Sequence, residues 1–314
     1  MNAAGVVVPR ARVIIDNDFG GDPDGLFQLA HHLLSPSVDV RAVVGSPHYP
    51  AGFYGLPGSA EFACEMAREV VRLIPSAREV PVLIGSATPL KDARSPVASD
   101  GAAFIVREAL RDDVRSPLYI ACGAGLSTLA SALLMEPRIG GRLHLVWIGG
   151  PEHAGLGVPP PNASPVEYNL GIDRVAAQVV FDATDVPIWQ VPRDAYRRAL
   201  ASYAELHREV RPHGPLGAFL MSRLDDLLTR AGRSLGEAYV LGDSPLVLLT
   251  ALQSGWEPDP SSSDYALVPR PRITDNGTYD PRPDAAPIRV YTRLDTRLML
   301  ADLYAKLAGL CATT

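Results

Sequence analysis

Ile14-Ile15-Asp16-Asn17-Asp18-Phe19-Gly20-Gly21-Asp22-Pro23-Asp24-Gly25-Leu26-Phe27-Gln28-Leu29 places four carboxylates within nine residues, directly behind an apolar run. Like charges a few ångströms apart raise one another's pKa and cost stability unless a cation or a shared proton offsets them. The stretch is therefore either a solvated turn or a metal site. It reads as strand, tight turn at Gly20-Gly21, then helix, with Asp16 and Asp18 at the strand's carboxyl end and Asp22 or Asp24 near the first helical turn. The partial positive charge of a helix N-terminus tolerates anions there. Hard oxygen donors select Ca²⁺ or Mg²⁺ over softer metals.

The same alternation recurs along the chain. Short, β-rich, largely unalternating runs occur at Val13–Ile15, Val40–Gly45, Pro81–Ile84, Pro117–Ala121, Leu143–Ile148 and Pro187–Val191, as expected of strands buried on both faces of a parallel sheet. Helical patterns lie between them, at Asp24–Leu34, Ala60–Leu73, Asp100–Arg111, Ser127–Leu134 and Asp173–Asp182. This predicts an open α/β fold with a mostly parallel central sheet, helices on both faces, and ligands outside the carboxyl ends of the strands. From about Arg193 the pattern turns helical (Ala195–Val210, Leu216–Ala231, Ser244–Gln253). A Pro-rich passage, Glu257–Pro271, leads to a β-like run Pro287–Thr292 and a closing helix Asp295–Leu307. With no Gly/Ser linker, charge block or internal repeat, residues 1–314 read as one domain.

The 47% hydrophobic and 20% charged composition of these 314 residues supports a substantial core. A net charge of −6 and a pI near 5.7 argue against polymeric nucleic acid as a partner and favour a small polar ligand. Cys64, Cys122 and Cys311 share no CxxC spacing and form no even framework, which predicts reduced thiols and a cytoplasmic protein. The N-terminal apolar patch is interrupted by Pro9, Arg10 and Arg12, unlike a signal peptide, and no apolar run reaches the ~18 residues of a membrane span.

An EF-hand loop starting at Asp16, Asp18 or Asp22 would need an acid where the chain has Phe27, Leu29 or Leu33, so that reading fails. A helix N-cap needs one Asp rather than four. Gly242-Asp243-Ser244 looks superficially like an esterase nucleophile block, but no histidine follows His213 to activate the serine. Asp243 reads either as an ordinary N-cap or as a carboxylate completing a metal site begun by Asp16–Asp24. Asn162, Glu167 and Asn169, on the long loop after Leu143–Ile148, offer the donors and acceptors that a polyhydroxylated ligand such as a sugar requires.

Taken in order, these stretches resemble the inosine-uridine-preferring nucleoside hydrolases. Asp16 to Asp24 corresponds to that family's DxDxGxDD, and Pro81 to Leu90 to its PVxxGxxxPL. Ala121 to Ala130 with Glu136-Pro137 is similar to its TGPLTNLA and later EP. Val146 to Gly150, Asn162, and Glu167-Tyr168-Asn169 with Asp173 resemble its MGG, GN and EFNxxxD. The resemblance runs from about Val13 to Leu307. It implies a nucleoside hydrolase-like, Rossmann-like fold and a Ca²⁺-dependent hydrolase that cleaves the N-glycosidic bond of a ribonucleoside into ribose and base. By this resemblance Asp18 touches the metal and takes a proton from water. Asp24, with Asp22 as the alternative, is the second early metal ligand, and the other binds a ribose hydroxyl. Asp243 is the late ligand, a backbone carbonyl near Cys122-Gly123 completes the shell, and Asn162, Glu167 and Asn169 hold the ribose. The family also makes a dimer or tetramer an expectation.

Two departures stand out. Pro23 splits the family's adjacent Asp-Asp pair, and Gly242 stands where many members have a histidine that protonates the departing base. His48, His153, Tyr49 and Tyr54 are loop candidates for that proton, and His48 also falls near the family's ribose-binding asparagine. These departures keep two alternatives open: a ribose- or nucleoside-binding protein without turnover, and a hydrolase of another small sugar conjugate.

Overall fold

The computed structural model describes residues 6–48, 52–183 and 185–311. Strand β1 (Ala11–Asn17) is buried at every position. It lies between two parallel neighbours, with helices on both faces, so neither edge nor face meets water. Its alternating side chains feed two cores: Val13 and Ile15 one, Ile14 the other.

After β1 come α1 (Asp24–Leu33), β2 (Val38–Gly45), α2 (Ala60–Leu73), β3 (Val82–Ile84), α3 (Asp100–Ala109), β4 (Leu118–Cys122) and α4 (Ser127–Met135). Next are β5 (His144–Ile148), α5 (Tyr168–Ile172), α6 (Arg174–Asp182), β6 (Ile188–Val191), α7 (Arg193–Tyr196), β7 (Leu200–Ser202), α8 (Tyr203–Glu209) and α9 (Gly214–Ala231). The chain closes with β8 (Ala238–Val240), α10 (Pro245–Thr250), β9 (Asp264–Pro269), β10 (Arg272–Ile273), β11 (Tyr279–Asp280), β12 (Pro287–Arg293) and α11 (Thr296–Cys311). The main sheet runs β3-β2-β1-β4-β5-β6-β12-β9, parallel except for the β12-β9 pair. One core packs α1, α2, α9, α10 and α11 on one face, and the other packs α3, α4 and α6 on the opposite face.

The order reverses between β1 and β4, and such a switch opens a crevice beyond the strands' carboxyl ends. Asp16 pairs with Cys122 across it, so Asp18 and Gly123 emerge side by side.

The expected helix Ala195–Val210 is not continuous. Leu200–Ser202 breaks out to pair antiparallel with Ala238–Val240, and α8 restarts with the Glu205 carboxylate accepting from the Ser202 N–H. The Pro-rich passage also hides β9, whose one proline, Pro269, stands at its last position, where it spares the interior of the ladder. Cys64 and Cys122 are buried free thiols, and among the described residues no helix is long and apolar enough to cross a membrane.

Candidate active site

Three turns converge on one cavity of about 310 Å³, and two of them carry carboxylates. The first is the turn after β1. Asp18 accepts the Gly21 N–H on its carbonyl at 2.8 Å, closing the turn, and donates its own N–H to Asn17 Oδ1 at 2.8 Å. Pro23 takes the position before α1 with φ −70° and ψ −6°, already helical, so its missing N–H costs nothing there.

Asp24 then opens α1. Its Oδ1 accepts from Gly25 N at 2.8 Å and its Oδ2 from the backbone N of Asp243 at 3.2 Å, 219 positions later in the chain. Asp22 accepts one long bond, from Asp24 N at 3.4 Å. The second segment is the turn between β8 and α10, which carries Asp243. Its Oδ2 accepts from Asn17 Nδ2 at 2.9 Å. The third is the turn after β4. A Cβ on Gly123 would lie 2.5 Å from Asn17 Nδ2 and 2.7 Å from Asp243 Oδ1, so only glycine lets these groups close on one another.

Asp18, Asp22, Asp24 and Asp243 all line the cavity. Burial pushes Asp18 well above the usual carboxylate range, and the charges of Asp243, Asp22 and Asp16 add to this. Asp24 is raised in the same way by burial and by Asp243, Asp22 and Asp18. Burial brings Asp22 and Asp243 each to about 7. Among the described residues none of the four has an ion-pair partner in reach. Hard oxygen donors with uncompensated mutual repulsion are the donor set that a divalent cation satisfies. Among the described residues no three His, Cys, Asp or Glu side chains are already drawn into a metal ligand shell. The donor chemistry therefore fits the ion, and binding would require the carboxylates to close in.

Asp16 is not part of this lining. It is fully buried within β1, one oxygen accepting from Ser46 Oγ at 2.5 Å and the other without a partner among the described residues, and burial brings it to about 7.

Glu167 and Asn169 line the cavity as the sequence led us to expect. Glu167 caps α5, accepting from Leu170 N at 3.0 Å, Gly150 N at 2.7 Å and the Tyr196 hydroxyl at 2.8 Å. Asn169 donates its amide to the carbonyls of Ile148 (2.8 Å) and Gly123 (3.2 Å), which leaves its amide oxygen as the remaining acceptor. The Gly123 carbonyl thus already accepts one hydrogen bond.

Other expected residues lie elsewhere. Asn162 is exposed in a left-handed turn (φ 62°) and does not line the cavity. His48 is buried against Phe53, just outside the lining. His153 lies behind it, bonded to Gln190 at 2.9 Å and stacked on Tyr279. Tyr54 is half exposed beside Phe53, and Tyr49 falls outside the described residues. Asp173 holds Leu90 N, Ser127 Oγ and the start of α6 together, a structural role.

The sequence reading missed the apolar and aromatic lining of Phe53, Ile148, Tyr168, Tyr196 and Val240, and Arg197, the one basic residue lining the cavity among the described residues. Tyr196 and Arg197 follow β6, so the rule that sites gather at carboxyl ends of strands was the available signal. Asn17 was missed because a polar residue between two acids carries no distinct pattern.

An open parallel sheet with an acid-lined cavity at its switch point defines a nucleoside hydrolase-like α/β protein. The chain belongs to the inosine-uridine preferring nucleoside hydrolase family, whose model matches residues 13–270. Its fold is similar to that of a purine-preferring ribonucleoside hydrolase from Gardnerella vaginalis (TM-score 0.75, 17% identity, 97% of this chain and 100% of that one). It is similar as well to a plant nucleoside hydrolase (TM-score 0.72, 18% identity, 96% and 100%). An inosine-uridine preferring nucleoside hydrolase from Bacillus anthracis gives a TM-score of 0.66 at 14% identity over 95% and 99%. No curated protein matches the chain by sequence.

Proposed function

We propose that this chain hydrolyses the N-glycosidic bond of a ribonucleoside or related riboside, with Ca²⁺ held by Asp18, Asp24 and Asp243. One observation carries this reading: four carboxylates, Asp18 and Asp243 buried and Asp22 and Asp24 partly so, come from two segments distant in sequence to line a single cavity together with an aromatic wall. The acidic side suits a polyol and a hard cation, and the wall of Phe53, Tyr168 and Tyr196 suits a planar leaving group.

When bound, the ion would lower the pKa of a water and engage the ribose diol. Asp24 is pressed electrostatically by Asp243, Asp22 and Asp18 together, which supports Asp24 as the ligand and leaves Asp22 for a ribose hydroxyl. As the C1′–N bond breaks, its electron pair leaves with the base. The surrounding carboxylates stabilise the positive charge that develops on the sugar. A water oxygen then bonds C1′ while Asp18 accepts the water's proton.

The leaving group is the distinctive feature. Gly242 offers no acid, and the Tyr196 hydroxyl is committed to Glu167, with burial and that carboxylate pushing its pKa up. Among the described lining residues Arg197 remains to counter negative charge on the departing base. The reading is tested by measuring ribose release from natural nucleosides and from p-nitrophenyl riboside, with Ca²⁺ and with chelator. Ca²⁺-dependent turnover that rises steeply with leaving-group acidity is expected. Absence of metal-dependent release from every riboside would overturn it. Tight ligand binding without product would instead support the non-hydrolytic alternative, which the missing acid motivates.

A further inference from the structure

A line of polar side chains runs from the acid cluster into an otherwise apolar core. Asn17, Gln28 and His32 are fully buried and Thr250 nearly so, and none of the four lines the cavity. Buried polar groups carry a desolvation cost unless each is bonded, and here the bonds form one continuous chain.

Its direction can be deduced from the far end. Thr250 Oγ1 donates to the Leu246 carbonyl at 2.6 Å, so its only proton is used. It must therefore accept from His32 Nε2, 2.8 Å away, and that nitrogen carries the proton. Burial keeps His32 neutral, so its Nδ1 is a bare acceptor and takes the Gln28 amide N–H. That turns Gln28 Oε1 toward Asn17 Nδ2, at 3.2 Å. The other Asn17 N–H reaches Asp243 Oδ2 at 2.9 Å, and Asn17 Oδ1 accepts from Asp18 N at 2.8 Å. Reversing the chain at His32 would turn the Gln28 NH₂ against the Asn17 NH₂. Asn17 could relieve that clash only by giving up both Asp18 and Asp243.

We propose that His32 is a positioning residue for Asp243, acting through Gln28 and Asn17 from the Thr250 anchor. Its tautomer holds Asn17 as a donor to Asp243 Oδ2, and so fixes the direction in which that carboxylate points. The proposal rests on the reading of Asp243 as a metal ligand for its functional consequence, but not for its geometry.

The test compares the full chain with Thr250→Val, which keeps the shape but removes the acceptor, and Thr250→Ser, which restores it. Nitrogen-15 spectra of His32 and of the Asn17 side-chain amide are recorded, and Ca²⁺ binding is measured by calorimetry. The expected result is a neutral Nε2–H His32 in the wild type. Thr250→Val should disturb that tautomer, shift the Asn17 amide and weaken Ca²⁺ binding about tenfold, with Thr250→Ser close to wild type. Gln28→Met, similar in length but breaking the relay between His32 and Asn17, should shift the Asn17 amide and produce the same loss. It serves as the test if Thr250→Val does not fold. An Nδ1–H His32 in the wild type overturns the proposal. So do variants that lower the melting temperature while leaving the Asn17 amide and Ca²⁺ affinity unchanged. If the wild type binds no Ca²⁺ at all, the cofactor reading fails, and the His32 and Asn17 spectra alone still decide the positioning role.

Discussion

Calcium binding to this protein should expel protons from the raised carboxylates of the cavity. Burial raises Asp243 and Asp22 each to about 7 from 3.8 in the cation-free protein, and holds Asp18 and Asp24 well above 3.8. A divalent cation needs Asp243 ionised as a ligand and disfavours a proton on Asp22 beside it, so binding below about pH 7 must displace a proton. In the cation-free state these groups favour folding at acid pH, where both folded and unfolded chains hold the protons. That contribution is lost as pH rises through about 7. The buried histidines run the other way: burial lowers His31, His32, His48, His144 and His153, so folding gains as pH rises from their lowered values toward the unfolded value of 6.5 and levels off above it. Melting curves of the cation-free protein therefore mix opposed slopes, and only the difference with and without Ca²⁺ isolates the carboxylates. One proton released by Asp243 tightens apparent affinity about 100-fold between pH 5 and 7, about 2.7 kcal/mol, and the raised Asp18 and Asp24 add protons of their own. A second proton from Asp22 would steepen the slope. Calorimetry in two buffers of different ionisation enthalpy counts the protons directly. Affinity that is flat from pH 5 to 8, with no proton exchanged, would refute both the site and its electrostatics.

Asp18→Asn should lower kcat by about 10²- to 10⁴-fold while raising the melting temperature of the Ca²⁺-free protein, because the amide removes a buried charge; unimpaired turnover contradicts its role as base. Gly123→Ala inserts a Cβ 2.5 Å from Asn17 Nδ2 and should cost about 1–3 kcal/mol in urea unfolding, together with weaker Ca²⁺ binding. A neutral result would show that the three turns are not in close contact. Asp24→Asn should weaken Ca²⁺ binding, whereas Asp22→Asn should raise KM for the riboside and keep the metal; the opposite pattern exchanges their roles.

The parallel sheet was legible because β1 to β6 are short apolar runs separated by amphipathic helices, and an unalternating strand has few other ways to be buried. Ala195–Val210 was misread because Leu200–Ser202 owes its extended state to pairing with Ala238–Val240, a partner nearly forty residues away that local periodicity cannot report. The same limit separates the site residues. Asp18, Glu167 and Asn169 announce themselves by type and position. Asn162, chosen on the same grounds, occupies a left-handed turn facing solvent, and Tyr196 enters the cavity only because α7 is a single turn following β6.

The chain's two departures from its family become one feature in three dimensions. Pro23 displaces the second acid of the pair to position 24, where its Oδ2 reaches across to the backbone of Asp243. A Cβ on residue 242 would sit 3.1 Å from that same oxygen and 3.5 Å from the Tyr196 ring, tighter than ordinary packing on the acid side. The shifted aspartate therefore crowds the space that a side chain at 242 would take, which brings the two departures to one place in the cavity. Restoring a histidine should then fail to restore a proton donor. Gly242→His is expected to push Asp24 aside and weaken Ca²⁺ binding, without speeding release of poor leaving groups. Faster hydrolysis of natural nucleosides at unchanged Ca²⁺ affinity would show that the two departures are independent.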